Sequence, residues 1–144
     1  AGRNPADAAR GRIIHVTRGA MDTCFSIYAK HFPGSLPYAY DLESLGGYYK
    51  LYEQIIAHWS TAVPGQYLDL SYEDLIKEPE AQIRRLLDYC DLTFVEDCLN
   101  FHQTKRTVQT ASAAQVRQPV YTSSIGRWRR FETLLEPLKQ IVSP

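Results

Sequence analysis

The stretch RIIHVTRGAMDTCFSIYAKHF, residues 12–32, decides the fold class. Its first part, Arg12 to Arg18, is a β-branched run closed by Gly19 and reads as a short buried strand. Its second part sets Met21, Cys24, Phe25, Ile27, Tyr28 and Phe32 near helical spacing, until Pro33, Gly34 and Pro37 break the pattern. A strand running straight into a helix at Gly19 marks an α/β architecture, and in open α/β sheets ligands bind at that kind of junction. The preceding AGRNPADAARGR, residues 1–12, is rich in Ala, Gly and Arg and reads as a flexible lead-in, which leaves residues 13–144 as the domain.

Downstream, Asp41 is placed to cap a long helix in which Leu42, Leu45, Tyr49, Tyr52, Ile56 and Trp59 share one face and Pro64-Gly65 ends the pattern. Gly46-Gly47 costs that helix roughly 1 kcal/mol per glycine, so the pair marks a close contact or a kink. QYLDLSYEDL alternates Tyr67, Leu68, Leu70 and Tyr72 as a second short strand, and Ser71 with Asp74 resembles a capping signal for another helix. EPEAQIRRLLDYCDL reads as a helix with Pro79 in its first turn and Ile83, Leu86, Leu87 and Cys90 on its apolar face. EDCLNF is a last short turn. From His102 to Thr122 neither period is sustained, and a loop of that length in a compact domain carries function or is disordered. A helix is expected to follow Gly126, over GRWRRFETLLEPL, with Trp128, Phe131, Leu134 and Leu135 apolar.

At 144 residues the chain fits one domain, and 44% hydrophobic with 22% charged residues is the composition of a globular protein. It has no apolar run near the ~18 residues of a membrane span and no signal-peptide pattern. Cys24, Cys90 and Cys98 lack CxxC spacing and read as small buried residues; they fit a reducing compartment, and a cytoplasmic location is expected. No metal site is expected from the scattered histidines at 15, 31, 58 and 102. The formal charge is zero, yet it is segregated: +3 over residues 1–40, −8 over 41–99 and +5 over 100–144. Either opposite ends of a fold meet, or an anionic ligand lies between two basic ends. QTASAAQVRQPVYTSSIGRWRR, residues 109–130, has four arginines, many hydroxyls and no acid, and enters a helix start, as an anion site would. The basic residues form no continuous stripe, so no nucleic-acid partner is expected. The usual phosphate-loop, dinucleotide, hydrolase and zinc-protease signatures are missing.

Arg18 at the strand end, Ser26 about two turns into the helix, and Lys30 four residues beyond Ser26 offer a planar fork, a hydroxyl and an ammonium to a phosphate, with Asp22 one turn before Ser26. IIHVTRGAMDTCFSIYAK, YLDLSYEDLIKEPE and TASAAQVRQPVYTSSIGRWRRFETLLEPL occur in the order and spacing of the sulfotransferase family. The chain most resembles bacterial sulfotransferase domains found behind tetratricopeptide repeats and, more distantly, tyrosylprotein sulfotransferases, from Ile13 to Ile141.

The resemblance implies a P-loop-kinase-like α/β fold, seen here as its helix-rich C-terminal portion with short parallel strands. It also implies transfer of a sulfuryl group from 3′-phosphoadenosine 5′-phosphosulfate (PAPS) to a hydroxyl or amine, leaving 3′,5′-adenosine bisphosphate. Arg18 and Ser26 would bind the 3′-phosphate with Lys30 nearby, Tyr72 would meet the adenosine, and Ser112 and Arg127 would close over the phosphates. The 5′-phosphosulfate loop and the general base precede the IIHVT strand in this family. By this resemblance the chain is expected to be a C-terminal part, inactive by itself, that joins an upstream half, with tetratricopeptide repeats as a further expected partner, to act on a small-molecule or peptide acceptor. Two other readings stay open: a non-catalytic module for adenosine bisphosphate or another anion, and a helical interaction domain. At residue level, the alternatives are a structural carboxylate partner for Arg18, a tolerated helix serine at 26, strand packing for Tyr72, a turn for Ser112 and a solvated face for Arg127.

Overall fold

Strands β1, Ile13–Thr17, and β2, Tyr67–Ser71, pair as a small parallel sheet in a computed structural model that describes residues 11–30, 36–63, 67–100 and 124–143. β2 follows the period of two: Leu68 and Leu70 are buried and Asp69 between them is exposed. β1 departs from the expectation of a buried strand, since Ile13, Ile14 and Val16 are all exposed. β-branched residues select the extended backbone, but burial of a parallel strand needs cover on both faces, which composition does not supply. The chain divides into two compact units, Ala1–Thr17 with Leu68–Thr122, and Arg18–Tyr67 with Ser123–Pro144.

Among its described residues, the first unit carries the sheet and two helices, α3 (Tyr72–Lys77) and α4 (Pro79–Tyr89). The Asp74 N–H donates to Ser71 Oγ at 3.1 Å, so the capping signal operates as read. Pro79 occupies the first turn of α4, where its missing N–H costs nothing. His15 Nδ1 lies 2.7 Å from Asp69 Oδ1, linking the two strands. Arg12 pairs with Asp91, and the Arg84 guanidinium lies 3.7 Å from the Phe94 ring centroid. A short 3-10 turn at Glu96–Cys98 matches the expected turn in EDCLNF.

The second unit is built from α1 (Ala20–Tyr28), a 3-10 turn at Pro37–Tyr40, α2 (Leu42–Ala62), a 3-10 turn at Arg127–Phe131, and α5 (Glu136–Val142). Asp41 caps α2 as expected, its Oδ1 accepting from the Ser44 N–H at 2.7 Å. Met21 and Cys24 of α1, Leu45 of α2, and Leu135, Leu138 and Val142 around α5 form the core, with Phe25, Tyr49 and Trp128 packed against it. α2 runs unbroken through its glycines. The pair answers to a contact rather than a kink: a Cβ on Gly46 would sit 2.9 Å from Ile141 Cγ2 of α5, while one on Gly47 would meet nothing within 4 Å.

Two expected helices are shorter than read. Residues 127–135 form a 3-10 turn and further turns, and a regular helix starts only at Glu136, with Pro137 in its first turn. Proline cannot donate to the preceding turn, so it opens a new helix instead of continuing one. α1 ends at Tyr28, and the Lys30 N–H bonds to Ile27 O at 3.1 Å in a tightened final turn. Lys30 therefore does not share a helix face with Ser26.

Candidate functional site

Arg18 opens the second unit, immediately after β1, and its Nη2 donates to the Ser124 carbonyl at 2.7 Å across 106 residues of sequence. The Thr23 hydroxyl donates to the Arg18 carbonyl at 3.4 Å and ties the arginine backbone to the first turn of α1. One turn along, Asp22 is buried, and both of its carboxylate oxygens accept from the Gly126 N–H, at 2.9 and 2.8 Å. Gly126 takes φ +72°, the left-handed conformation that glycine accepts without a Cβ penalty. A Cβ there would also run into the Arg129 guanidinium. The start of α1 and the 124–126 turn are thereby joined by two opposite charges, one on a carbonyl and one on an N–H.

Arg127 follows directly and begins the 3-10 turn; it is exposed, as is Ser26 in α1. Phe25 of α1 stacks on Phe131 of the 3-10 turn with centroids 5.4 Å apart, so an apolar contact reinforces the polar join, and within the turn Arg129 lies 5.3 Å from the Trp128 ring centroid. Lys30 is exposed beyond the end of α1. Tyr72 opens α3 in the other unit and is half-buried. Ser112 lies outside the described residues. The second unit thus holds Arg18, Ser26, Lys30 and Arg127, with Arg18 bonded directly to the turn that carries Arg127.

The donor set suits an oxyanion. An arginine offers five N–H donors in a planar fork whose geometry matches carboxylate and phosphate oxygens, and here Nη2 donates to Ser124 O. Asp22 is turned onto a backbone N–H, with both carboxylate oxygens sharing the Gly126 amide. Sequence reasoning named Asp22 as a neighbour of Ser26 but missed its partner. The available signal was an acid in the first turn of a helix together with a glycine beside an arginine over a hundred positions away. Among the described residues, no cluster of three or more His, Cys, Asp or Glu could hold a metal ion, and no helix is long and apolar enough to cross a membrane.

The strand end carrying Arg18 and the helix carrying Asp22 and Ser26 lie within a segment that matches a known family. Residues 10–97 match the model of the sulfotransferase family, and the chain belongs to that family. An uncharacterised protein of Aquifex aeolicus (strain VF5) is 38% identical over 134 residues, covering 91% of this chain and 18% of that protein. A Caenorhabditis briggsae protein named as a candidate protein-tyrosine sulfotransferase is 31% identical over 70 residues, covering 45% of this chain and 25% of its own length. The chain therefore spans a quarter or less of each of these relatives. The helix-rich build with a small parallel sheet is consistent with an α/β sulfotransferase.

Proposed function

We propose that this chain is the nucleotide-holding part of a PAPS-dependent sulfotransferase that transfers a sulfuryl group to a hydroxyl or amine. The single observation that carries the reading is the bond from Arg18 to the Ser124 carbonyl, in the turn preceding Arg127. On this reading Arg18 and Ser26 bind the 3′-phosphate, Lys30 adds a cation from beyond the helix end, and Arg127 closes on the phosphates. Tyr72 meets the adenosine and Ser112 joins Arg127 at the phosphates. When bound, the nucleotide supplies the sulfuryl donor; these residues bind and orient it. On this reading the residues named here bind and orient the nucleotide, and none of them is assigned as the general base. The name of the Caenorhabditis briggsae relative favours a protein tyrosine hydroxyl as acceptor.

Thermal unfolding with 3′,5′-adenosine bisphosphate tests the reading. Ligand at about 100 times its dissociation constant adds about 2.7 kcal/mol. For a domain of this size that raises Tm by about 5–10 °C. Arg18→Ala and Arg127→Ala should each reduce the shift at the same nucleotide concentration. A cooperatively folded parent that shows no shift at saturating nucleotide would overturn the proposal.

A further inference from the structure

We propose that Asp22 is the positioning residue that presents Arg127 to the nucleotide; the inference rests on the function proposed above. The turn at 124–126 exposes a carbonyl at one end and an N–H at the other. Arg18 takes the Ser124 carbonyl at 2.7 Å, and Asp22 takes the Gly126 N–H with both oxygens at 2.9 and 2.8 Å. These two side chains straddle the start of α1, four residues apart, with the Thr23 hydroxyl holding the Arg18 carbonyl. The turn is thus gripped with matched polarity at two points.

Three further facts tie this grip to Arg127. Asp22 is the buried charged residue of the described structure, only 7% exposed, so its hydrogen bonds to Gly126 are shielded from water. Gly126 holds a left-handed conformation that fixes the direction in which the chain leaves the turn. Arg127 is the very next residue, so one peptide unit separates the held amide from its Cα, and its exposed side chain starts from a point that Asp22 sets. A carboxylate beside an anion site would ordinarily repel the ligand. Here it faces the Gly126 N–H, so it orients the closing arginine while its charge is directed onto the backbone.

The test measures binding of 3′,5′-adenosine bisphosphate by calorimetry, well below the melting temperature, for the parent chain, Asp22→Asn, Arg127→Ala and the double variant. Asp22→Asn keeps the side-chain volume but removes the charge and one of the two acceptor oxygens. Affinity should fall roughly tenfold, as for loss of a hydrogen bond to a charged group. The double variant should bind no more weakly than Arg127→Ala alone, because a positioning residue has nothing left to position. A purely structural Asp22 would lower Tm while leaving the affinity of the folded protein unchanged, or would add its loss to that of Arg127→Ala; either result overturns the inference.

Amide exchange reads the same device in the parent, without an Asp22 variant. Protection of the Gly126 N–H should rise when nucleotide binds, and unchanged protection in the bound state overturns the inference even if Asp22→Asn fails to fold. Failure of the functional reading looks different: the parent then binds no nucleotide at any concentration, and the inference falls with it.

Discussion

Cys24 is fully enclosed where α1, α2 and α5 meet, and burial, with the Glu53 carboxylate adding to it, pushes its thiol from 9.0 up to about 12. The thiolate is the reactive form, so Cys24 should resist a thiol reagent at pH 8 in the native chain and react once denaturant opens the core. Counting modified cysteines by mass spectrometry before and after unfolding checks this, with Cys90 and Cys98 half-buried as internal references. The linkage has a definite sign. Below pH 9 the thiol is neutral in both states; above it the unfolded chain ionises first, so stability falls as pH rises toward 12. Asp41 works in the opposite range. Its hydrogen bonds with Ser44 hold its carboxyl below the usual value, so its contribution is present above the ordinary Asp pKa and is lost as pH falls through the depressed one. Asp41→Ala should therefore melt below the parent at pH 7 and converge with it in acid. The cap was readable because an N-cap and its partner lie three residues apart; the grip of Asp22 on Gly126 was not, because nothing local announces a partner 104 residues away.

The two glycines of α2 separate backbone propensity from helix packing. Both sit inside the helix, where glycine costs roughly 1 kcal/mol relative to alanine. At Gly47 the added methyl meets open space, so Gly47→Ala should stabilise the chain by about 0.5–1 kcal/mol. At Gly46 it would press on Ile141 Cγ2 at 2.9 Å and Cβ at 3.1 Å, and the branched carbon cannot swing aside without moving α5. Gly46→Ala should therefore cost about 1–2 kcal/mol net, since overpacking outweighs the gain in propensity. Urea unfolding of the two variants should show midpoints moving in opposite directions. The sequence marked the pair as a contact or a kink, and only the position of α5 distinguished them and assigned the contact to one glycine. The same limit explains the helix expected after Gly126: its apolar residues suggested continuity, whereas a left-handed glycine, a 3-10 turn and Pro137 divide it.

The charge pattern changes meaning in the folded molecule. Along the chain the middle is acidic and both ends are basic, yet the second unit carries seven Lys/Arg against six Asp/Glu, and the first carries nine against ten. Neither unit is strongly charged, so on the proposed reading attraction of an anion rests on local placement of Arg18, Lys30 and Arg127 and not on net charge. The core of the second unit spans the chain from Met21 to Val142, which brings the far C-terminal helix onto α1 and α2. Leu138, fully buried at its centre, should cost about 2–5 kcal/mol when cut to alanine, read as a lower urea midpoint. If Arg127 depends on this packing for its place, Leu138→Ala should also weaken nucleotide binding at temperatures where the chain remains folded.

By itself the sequence determined the positions of β1, α1, α2, β2 and α4, the caps at Asp41 and Ser71, and membership of the sulfotransferase family. Periodicity, capping and motif order act over a few residues or survive as a linear pattern, so they can be read without coordinates. The tertiary structure decided where Lys30 falls relative to α1, which glycine admits α5, that β1 is exposed, and that Arg18 and Asp22 hold the turn before Arg127. Each of these depends on backbone curvature or on partners far apart in sequence, and hydrogen bonds and close packing across such distances exist only once the chain has folded.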